Sequence, residues 1–355
     1  KKSKKKCWTV TAKQRESLLW HVPFLTAQFE SNEEQLFSRH RALFFHLTQK
    51  GRNFMNKVLG NKKAISLFVV PALIIYTIIV MVPVIWSLYY SFFSGSPGLQ
   101  WEFAGFDNYA RLFRDKNFLN ALTVNCKYVL VVTVGQVGMG LLLSLMFKFW
   151  LRRCKTIVRT LVFFPVVLPT VAVGQLFAKI YEIQPNYGLL NSLLDSLGFT
   201  NLVQPWIGQS STALWALCVM DIWVAMGFYS VIFYGALLDI SDDILEAARI
   251  DGSGEFHTFN RIVAPILKLF KNILLPLLRP MVITSLVFSF SGTVKMFESA
   301  MALTKGGPGS ATKSLSMYMY DVAFTYNKVG YASVIAIVIF LICVVGSLVI
   351  NRFDV

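Results

Sequence analysis

Charged residues are scarce in this sequence. Asp, Glu, Lys and Arg make up 15% of its 355 residues, whereas a soluble domain carries about 25%. Hydrophobic residues account for 55% of the chain. So few charges leave long uncharged stretches, and the chain has more of them than one buried core needs. A soluble globular domain is therefore disfavoured.

Paired cysteines and clustered histidines are also missing. The five cysteines are scattered and form no C-x-x-C pair, so neither a disulfide framework nor a zinc site is indicated. All four histidines lie outside the long apolar stretches, at His21, His40, His46 and His257. Catalysis needs convergent acid, base, nucleophile or metal groups. An intramembrane enzyme is therefore disfavoured.

A phosphate-binding loop is absent as well. No segment matches G-x-x-x-x-G-K-[ST], and the glycine-rich stretch "GGPGSAT" (306–312) has neither the spacing nor the lysine. We therefore expect that this chain does not bind ATP through such a loop.

The uncharged stretches that are present are long enough to cross a bilayer, which takes about 20 apolar residues per helix. They are continuously apolar rather than alternating, and this disfavours a closed β-barrel. The sequence predicts an all-α polytopic membrane protein with six transmembrane helices. The predicted spans are 66–91, 126–147, 160–180, 213–237, 279–298 and 329–350.

Basic residues near the span ends predict the orientation, because they are retained on the cytoplasmic side. Residues 1–63 hold 14 Lys and Arg against 4 Asp and Glu, and residues 148–159 hold 5 Lys and Arg and no acid. Both segments are expected in the cytoplasm, together with the 239–278 loop and the C-terminus. The pI of 9.6 then reflects topology and contact with anionic lipid rather than nucleic-acid binding.

The two long outer loops fit this orientation unequally. Loop 182–212 contains no Lys or Arg, as expected outside the cell. Loop 94–125 carries Arg111, Arg114 and Lys116 and agrees less well.

The basic cytoplasmic extension at residues 1–63 has more than one interpretation. It lacks the signal-peptide pattern of a basic head, a short apolar run and a small-residue cleavage site. Phe37, Phe44 and Leu47 recur at helical spacing beside basic residues, which is typical of an amphipathic helix on the inner leaflet. The alternatives are a disordered basic tail, or translated sequence upstream of a true start near Met55.

The stretch "EAARIDGSGEFHTFNRIVAP" (246–265) is a charged segment between two predicted spans. Ser241 is a good helix N-cap before it, and Gly252 with Gly254 would end or bend the helix. The pattern predicts a cytoplasmic helical hairpin that exposes Glu246. An arginine on a partner protein could bind that carboxylate bidentately. The alternative is an ordinary solvated loop.

The spacing in this hairpin resembles the EAA loop of binding-protein-dependent ABC importers. The family pattern is EAA-x3-G-x9-I-x-LP, and this chain departs from it only at Ala264, where the family has Leu. Four further segments, in order, resemble the sugar permeases of that class, those for maltose, sn-glycerol 3-phosphate and oligosaccharides. They are "AGFDNYARLF" (104–113), "NYGLLNSLLDSLG" (186–198), "KMFESAMALTKGGPGSAT" (295–312) and "MYMYDVAFTYNKVGYASVIAIV" (317–338).

The resemblance covers residues 64–355 and implies a permease domain with its EAA loop at 239–278. It implies import of a sugar or oligosaccharide across the plasma membrane of a prokaryote, by a subunit that is not itself an enzyme. The implied partners are a second permease chain, an external solute-binding protein and separate ATPase subunits, which bind ATP and magnesium. The implied ATPase-coupling residues are Glu246, Ala247, Ala248, Asp251, Gly252, Ile262 and Pro265.

The fourth span supplies candidates for the substrate pathway. Asp221 is an ionisable residue inside a predicted span, which by default indicates a functional site. Trp223 and Tyr229 lie nearby and could stack on sugar rings. The alternatives are a hydrogen-bonded structural aspartate and aromatic side chains used for packing.

Two further interpretations stay open. A gradient-driven secondary transporter of a small polar solute is the alternative function, although such carriers favour inverted repeats with several midplane acids.

The segment 259–269 is echoed by 270–280, with Phe, Ile, Pro and Leu at the same offsets. This echo predicts a tandem duplication that lengthens the stem by about 16 Å, so that either Ile262 or Ile273 takes the family position.

Overall fold

The computed structural model describes residues 62–151, 154–241, 243, 244, 246 and 274–354. Two compact units divide the chain, Lys1–Pro83 and Val84–Val355. Within the described part, five helices are long and apolar enough to cross a membrane, or six if one bent pair counts as a single span. The five are Ile65–Tyr90, Lys116–Trp150, Ala213–Leu238, Leu275–Val294 and Val329–Asn351. The expectation of a helical polytopic protein is confirmed at this level.

The described part of the first unit is a single helical stretch. It contains α1 (Lys62–Tyr76), which includes Pro71, and a π-helical turn at Thr77–Met81. The described side chains of this unit are all exposed. α2 (Val82–Tyr90) begins at the boundary and continues the helix.

The described part of the second unit is mostly helical. Its elements, in chain order, are β1 (Phe93–Ser96), β2 (Leu99–Phe103), α3 (Asp107–Leu112), α4 (Lys116–Leu145), α5 (Lys155–Phe163), α6 (Thr170–Ile180), α7 (Leu189–Ser196), α8 (Ala213–Leu238), α9 (Leu275–Val294), α10 (Glu298–Leu303), α11 (Leu315–Tyr320) and α12 (Val329–Asn351). A π-helical turn at Met146–Trp150 extends α4, so that the second spanning helix is longer than the predicted 126–147.

A small β-hairpin in the first predicted outer loop departs from the all-α expectation. β1 and β2 pair antiparallel, with Phe93 opposite Phe103, and the register shifts between Ser94 and Ser96. The hairpin is fastened to the start of α12. The Ser96 hydroxyl donates to the backbone oxygen of Asn327 at 2.7 Å and accepts from the N–H of Val329 at 3.3 Å.

The predicted third span, 160–180, is not one straight helix. Thr156–Val167 and Thr170–Ile180 are bent by 104° relative to each other. Pro165 lies in the 3-10 turn at Phe164–Val167, and Pro169 caps α6. Proline has no N–H to donate, and the residue before Pro169, Leu168, is extended as the proline ring favours, which accounts for the break.

The core lies where α4 packs against α8, with α9 and α12 beside them. Two glycines of α4 allow the close approach to α8. A Cβ at Gly140 would lie 2.5 Å from the Cβ of Tyr229, and one at Gly135 would lie 2.4 Å from Cδ1 of Ile222. A Cβ at Gly138, on the same helix, would meet no atom within 4 Å.

We therefore expect Gly140→Ala to destabilise the protein by about 1–3 kcal/mol, because the new methyl group would overlap the backbone of α8. Gly138→Ala is the matched control. It should be neutral or stabilising by up to about 1 kcal/mol, since alanine favours a helix over glycine. Thermal unfolding of the purified variants in detergent measures both, and equal midpoints for the two variants would contradict the assigned helix contact.

Candidate functional site

Of the predicted ATPase-coupling residues, Glu246 belongs to the described part of the chain. It is helical and exposed, and it follows Leu238, the last residue of α8, by eight residues. Ala247, Ala248, Asp251, Gly252, Ile262 and Pro265 lie outside the described residues. The same holds for residues 1–61 and for the echoed segment 259–269, so the predictions made for these segments stay predictions.

Asp221 is buried and hydrogen-bonded. The Tyr128 hydroxyl of α4 donates to its carboxylate at 2.5 Å. Gln136, about two turns further along α4, donates from Nε2 to the backbone oxygen of Asp221 at 3.2 Å. These contacts satisfy a polar group that would otherwise be costly to bury. They favour the structural interpretation of Asp221, and its part in a substrate pathway stays a prediction.

A row of polar side chains on α4 continues this network toward α9. The row, here called the polar seam, consists of Asn125, Tyr128, Thr133 and Gln136. Ser289 donates to Oε1 of Gln136 at 2.9 Å, and the hydroxyls of Thr133 and Thr293 are 3.1 Å apart.

Sequence reasoning missed the polar seam, although a signal for it was present. Asn125, Tyr128, Thr133 and Gln136 fall at offsets of 0, 3, 8 and 11, which place them on one face of a helix.

The three predicted pathway residues do not form one site in this subunit. Trp223 lies about 200° around α8 from Asp221, and its ring is 5.4 Å from that of Phe177 on α6. Trp223 is half-buried, whereas Tyr229 is buried and packs beside Phe228. The substrate role of all three residues stays a prediction.

A large cleft lies between the C-terminal part of α9, α11 and α12. Its volume is about 910 Å³, and its lining is mostly apolar. Lys295, Ser291 and Ser347 contribute polar groups, and the rings of Phe297 and Tyr320 are 5.3 Å apart on its wall. This volume lies within the range of about 300–1,000 Å³ that is usual for small-molecule sites.

Asp115 forms a second polar centre, at the start of α4. Tyr318 and Tyr331 both donate to its Oδ2, Tyr331 at 2.7 Å, while the N–H groups of Asn117 and Phe118 donate to Oδ1. Partial burial would raise the pKa of Asp115, but these four hydrogen bonds outweigh it and lower the pKa below the ordinary value. Asp115 is therefore a fixed negative charge.

Among the described residues, no group of three His, Cys, Asp or Glu could hold a metal ion.

Comparison with known proteins places the chain in a family. Residues 136–354, more than half of the chain, match the family described as "Binding-protein-dependent transport system inner membrane component". The chain is 34% identical to "Probable ABC transporter permease protein YurN" of Bacillus subtilis (strain 168), over 82% of this chain and 96% of that protein.

Two further similarities agree with this match. The chain is 31% identical to "Sulfoquinovosyl glycerol transport system permease protein SmoG" of Agrobacterium fabrum, over 79% of this chain and 87% of that protein. It also shares its fold, with a TM-score of 0.68 and 19% identity, with a chain of a solved bacterial alginate ABC transporter in complex with an alginate pentasaccharide-bound periplasmic protein. That match covers 84% of this chain and 96% of the other.

The chain belongs to the family of inner membrane components of binding-protein-dependent transport systems. It is a multi-pass subunit of the ABC transporter permease type, and so a transporter component rather than an enzyme.

We expect Tyr128→Phe to lower the free energy of unfolding by about 1–3 kcal/mol, because it removes a donor from the buried Asp221 carboxylate. Tyr187→Phe is the matched control, since Tyr187 is 48% exposed and loss of its hydroxyl should change stability little. Thermal unfolding in detergent compares the two. A Tyr128→Phe variant as stable as Tyr187→Phe would show that the hydrogen bond does not hold α4 to α8.

Proposed function

We propose that this chain is the permease subunit of an ATP-driven importer that carries a sugar or oligosaccharide into a prokaryotic cell. The observation that carries the proposal is the EAA spacing, which begins at Glu246, eight residues beyond the end of α8, in a chain of this family. The names of two similar proteins support the solute class, since one belongs to a sulfoquinovosyl glycerol transport system and another to an alginate transporter.

The proposed assembly has four kinds of component. Two permease chains, this one and a second, form the membrane part, and a solute-binding protein delivers the solute from outside. The periplasmic protein in the solved alginate transporter supports this last partner. Separate ATPase subunits bind ATP and magnesium, and this chain binds no cofactor of its own.

The proposed topology has six spans, with the N- and C-termini in the cytoplasm. The bent pair Thr156–Val167 and Thr170–Ile180 is counted as the third span. Residues 1–63 form a cytoplasmic extension and residues 64–355 the permease domain. The EAA loop at 239–278, with its helical hairpin, then faces the ATPase.

The coupling mechanism we propose is a rigid-body movement. Glu246 is exposed and close to the end of α8, and α8 is hydrogen-bonded to α4 through Asp221. An arginine in the ATPase groove would bind the Glu246 carboxylate with two parallel hydrogen bonds. Closure of the ATPase dimer would then displace the EAA helix, and the packed helices would follow as one body between inward- and outward-facing states.

The solute class is consistent with the cleft between α9 and α12. Its aromatic pair, Phe297 and Tyr320, offers faces on which sugar rings stack, and Ser291 and Ser347 offer hydroxyl groups. Among the predicted pathway residues, half-buried Trp223 is the most accessible and is proposed to contact solute at the surface of α8.

The decisive test is the charge reversal Glu246→Lys in the reconstituted transporter. We expect ATP-driven uptake to fall at least about tenfold, because lysine would repel the proposed arginine, while the variant remains folded. Asp239→Lys is the matched control, since Asp239 is exposed and lies seven residues earlier in the same predicted loop. Its uptake should stay near that of the unmodified protein.

Three measurements complete this experiment: uptake with and without ATP, recovery of the ATPase in a pull-down, and the unfolding midpoint. Normal ATP-driven uptake by a folded Glu246→Lys variant would contradict the assignment of the coupling site. Uptake by the unmodified chain alone, without ATP but with an ion gradient, would favour the secondary transporter instead.

A further inference from the structure

A basic cavity opens near the start of α4 and is lined by two segments that are far apart in sequence. Arg111 lies in the last turn of α3, Arg114 in the turn that follows it and Lys116 at the start of α4, whereas Lys328 precedes α12. Its volume is about 450 Å³. All four cationic side chains are exposed.

The charges in this basic cavity are not balanced within the subunit. Among the described residues, none of the four cations has an Asp or Glu within 4 Å. The carboxylate at this place, Asp115, is occupied by the hydroxyls of Tyr318 and Tyr331 and by two backbone N–H groups. Four positive charges therefore face one negative charge that is already hydrogen-bonded.

The Asp115 contacts also order the cavity. They join the start of α4 to α11 and α12, so that the two basic segments are held next to each other. The guanidinium of Arg111 lies over the Tyr331 ring, 5.0 Å from its centroid, which fixes one of the cations by a cation–π contact. The basic cavity is thus a built feature rather than a set of independent surface lysines and arginines.

The position of these cations runs against the rule that governs membrane insertion. Lys and Arg near span ends favour the cytoplasmic side, yet Arg111, Arg114 and Lys116 lie in a loop that the proposed topology places outside the cell. Membrane insertion therefore does not explain these cations, and their position indicates another function.

One exposed aromatic side chain also lines the cavity. Tyr326, two residues before Lys328, is 57% exposed, and Phe113 and Phe324, which neighbour the cations in sequence, are 75% and 70% exposed. Aromatic residues and arginine are the residues enriched at protein interfaces and at their energetic hot spots. Cations spread over two segments, beside an exposed tyrosine, match several carboxylates on a protein surface better than one small anion.

We propose that the basic cavity, which Tyr326 also lines, is a docking site for an acidic patch of the external solute-binding protein. This inference rests on the proposed function and its topology. Asp and Glu side chains of the partner bind Arg114, Lys116 and Lys328, and Arg114 is able to bind a carboxylate bidentately. The complementary charges speed the encounter, and this effect weakens with salt.

The test uses the complete transporter in nanodiscs of phosphatidylcholine, which carries no net charge. The probe is the solute-binding protein whose gene neighbours that of this chain, purified with its solute bound. Biolayer interferometry at low salt and again at about 0.3 M salt gives the association rate and the affinity. The variant is the double reversal Arg114→Glu with Lys328→Glu, and Arg114→Gln with Lys328→Gln is a milder second variant.

We expect the double reversal to slow association about tenfold or more at low salt and to remove most of the salt dependence, and the Gln variant to slow it about threefold. Lys305→Glu is the matched control, because Lys305 is exposed, basic and outside the cavity. It should associate within about twofold of the unmodified transporter. ATPase activity without the binding protein and the unfolding midpoint check that the variants remain folded.

Three results would overturn the docking site. The first is unchanged association for both variants. The second is an equal loss for Lys305→Glu, which would show a general effect of charge. The third is a loss of association by the variants that appears in a parallel set of phosphatidylglycerol nanodiscs but not in phosphatidylcholine, which would assign the cavity to a lipid headgroup. If the unmodified transporter itself neither binds the probe nor imports solute with ATP, it is the proposed function that fails.

Discussion

A carboxyl group buried between apolar helices must be hydrogen-bonded, and the packing of this subunit depends on how Asp221 meets that requirement. Apolar surfaces alone allow two helices to slide past each other at small cost, whereas hydrogen bonds have a fixed length and direction. Tyr128 and Gln136 reach Asp221 from two levels of α4 and so fix its register with α8. The glycines at 135 and 140 let the two backbones come close enough for these bonds.

The same requirement extends the contact to a third helix. Gln136 donates to α8 through its nitrogen and accepts from Ser289 of α9 through its oxygen. One side chain therefore joins three helices, in a setting where interhelical polar contacts and small residues provide much of the association. The coupling movement that we propose for the end of α8 needs such a rigid body, because a loosely packed helix would absorb the movement.

Much of the fold could be predicted from the sequence, because long apolar stretches without charges leave few alternatives in a membrane. The predicted fourth and sixth spans, 213–237 and 329–350, lie within a residue of the observed helices, since a continuous apolar stretch of spanning length decides these elements. The break in the third span and the β-hairpin were not predicted. Pro165 and Pro169 signalled the first, but hydropathy averaged over a window hides them, and the hairpin depends on Ser96 meeting α12 from across the chain.

The site was predictable only in part, for a related reason. Asp221 was found because a charge inside an apolar stretch is conspicuous, but its partner Tyr128 is 93 residues away in sequence. Arg111, Arg114 and Lys116 were visible as a departure from the charge rule, whereas Lys328 joins them only through the fold. Partnerships between distant segments are set by packing, which local pattern does not contain.

The bond between Ser96 and the start of α12 has a consequence for how this subunit can tolerate change. It joins the β1–β2 hairpin to the start of α12, so that the chain between them forms a closed loop. A displacement of the hairpin therefore also displaces the start of α12, and the reverse holds as well. Lengthening the hairpin and shortening the start of α12 would therefore disturb the same two hydrogen bonds of Ser96.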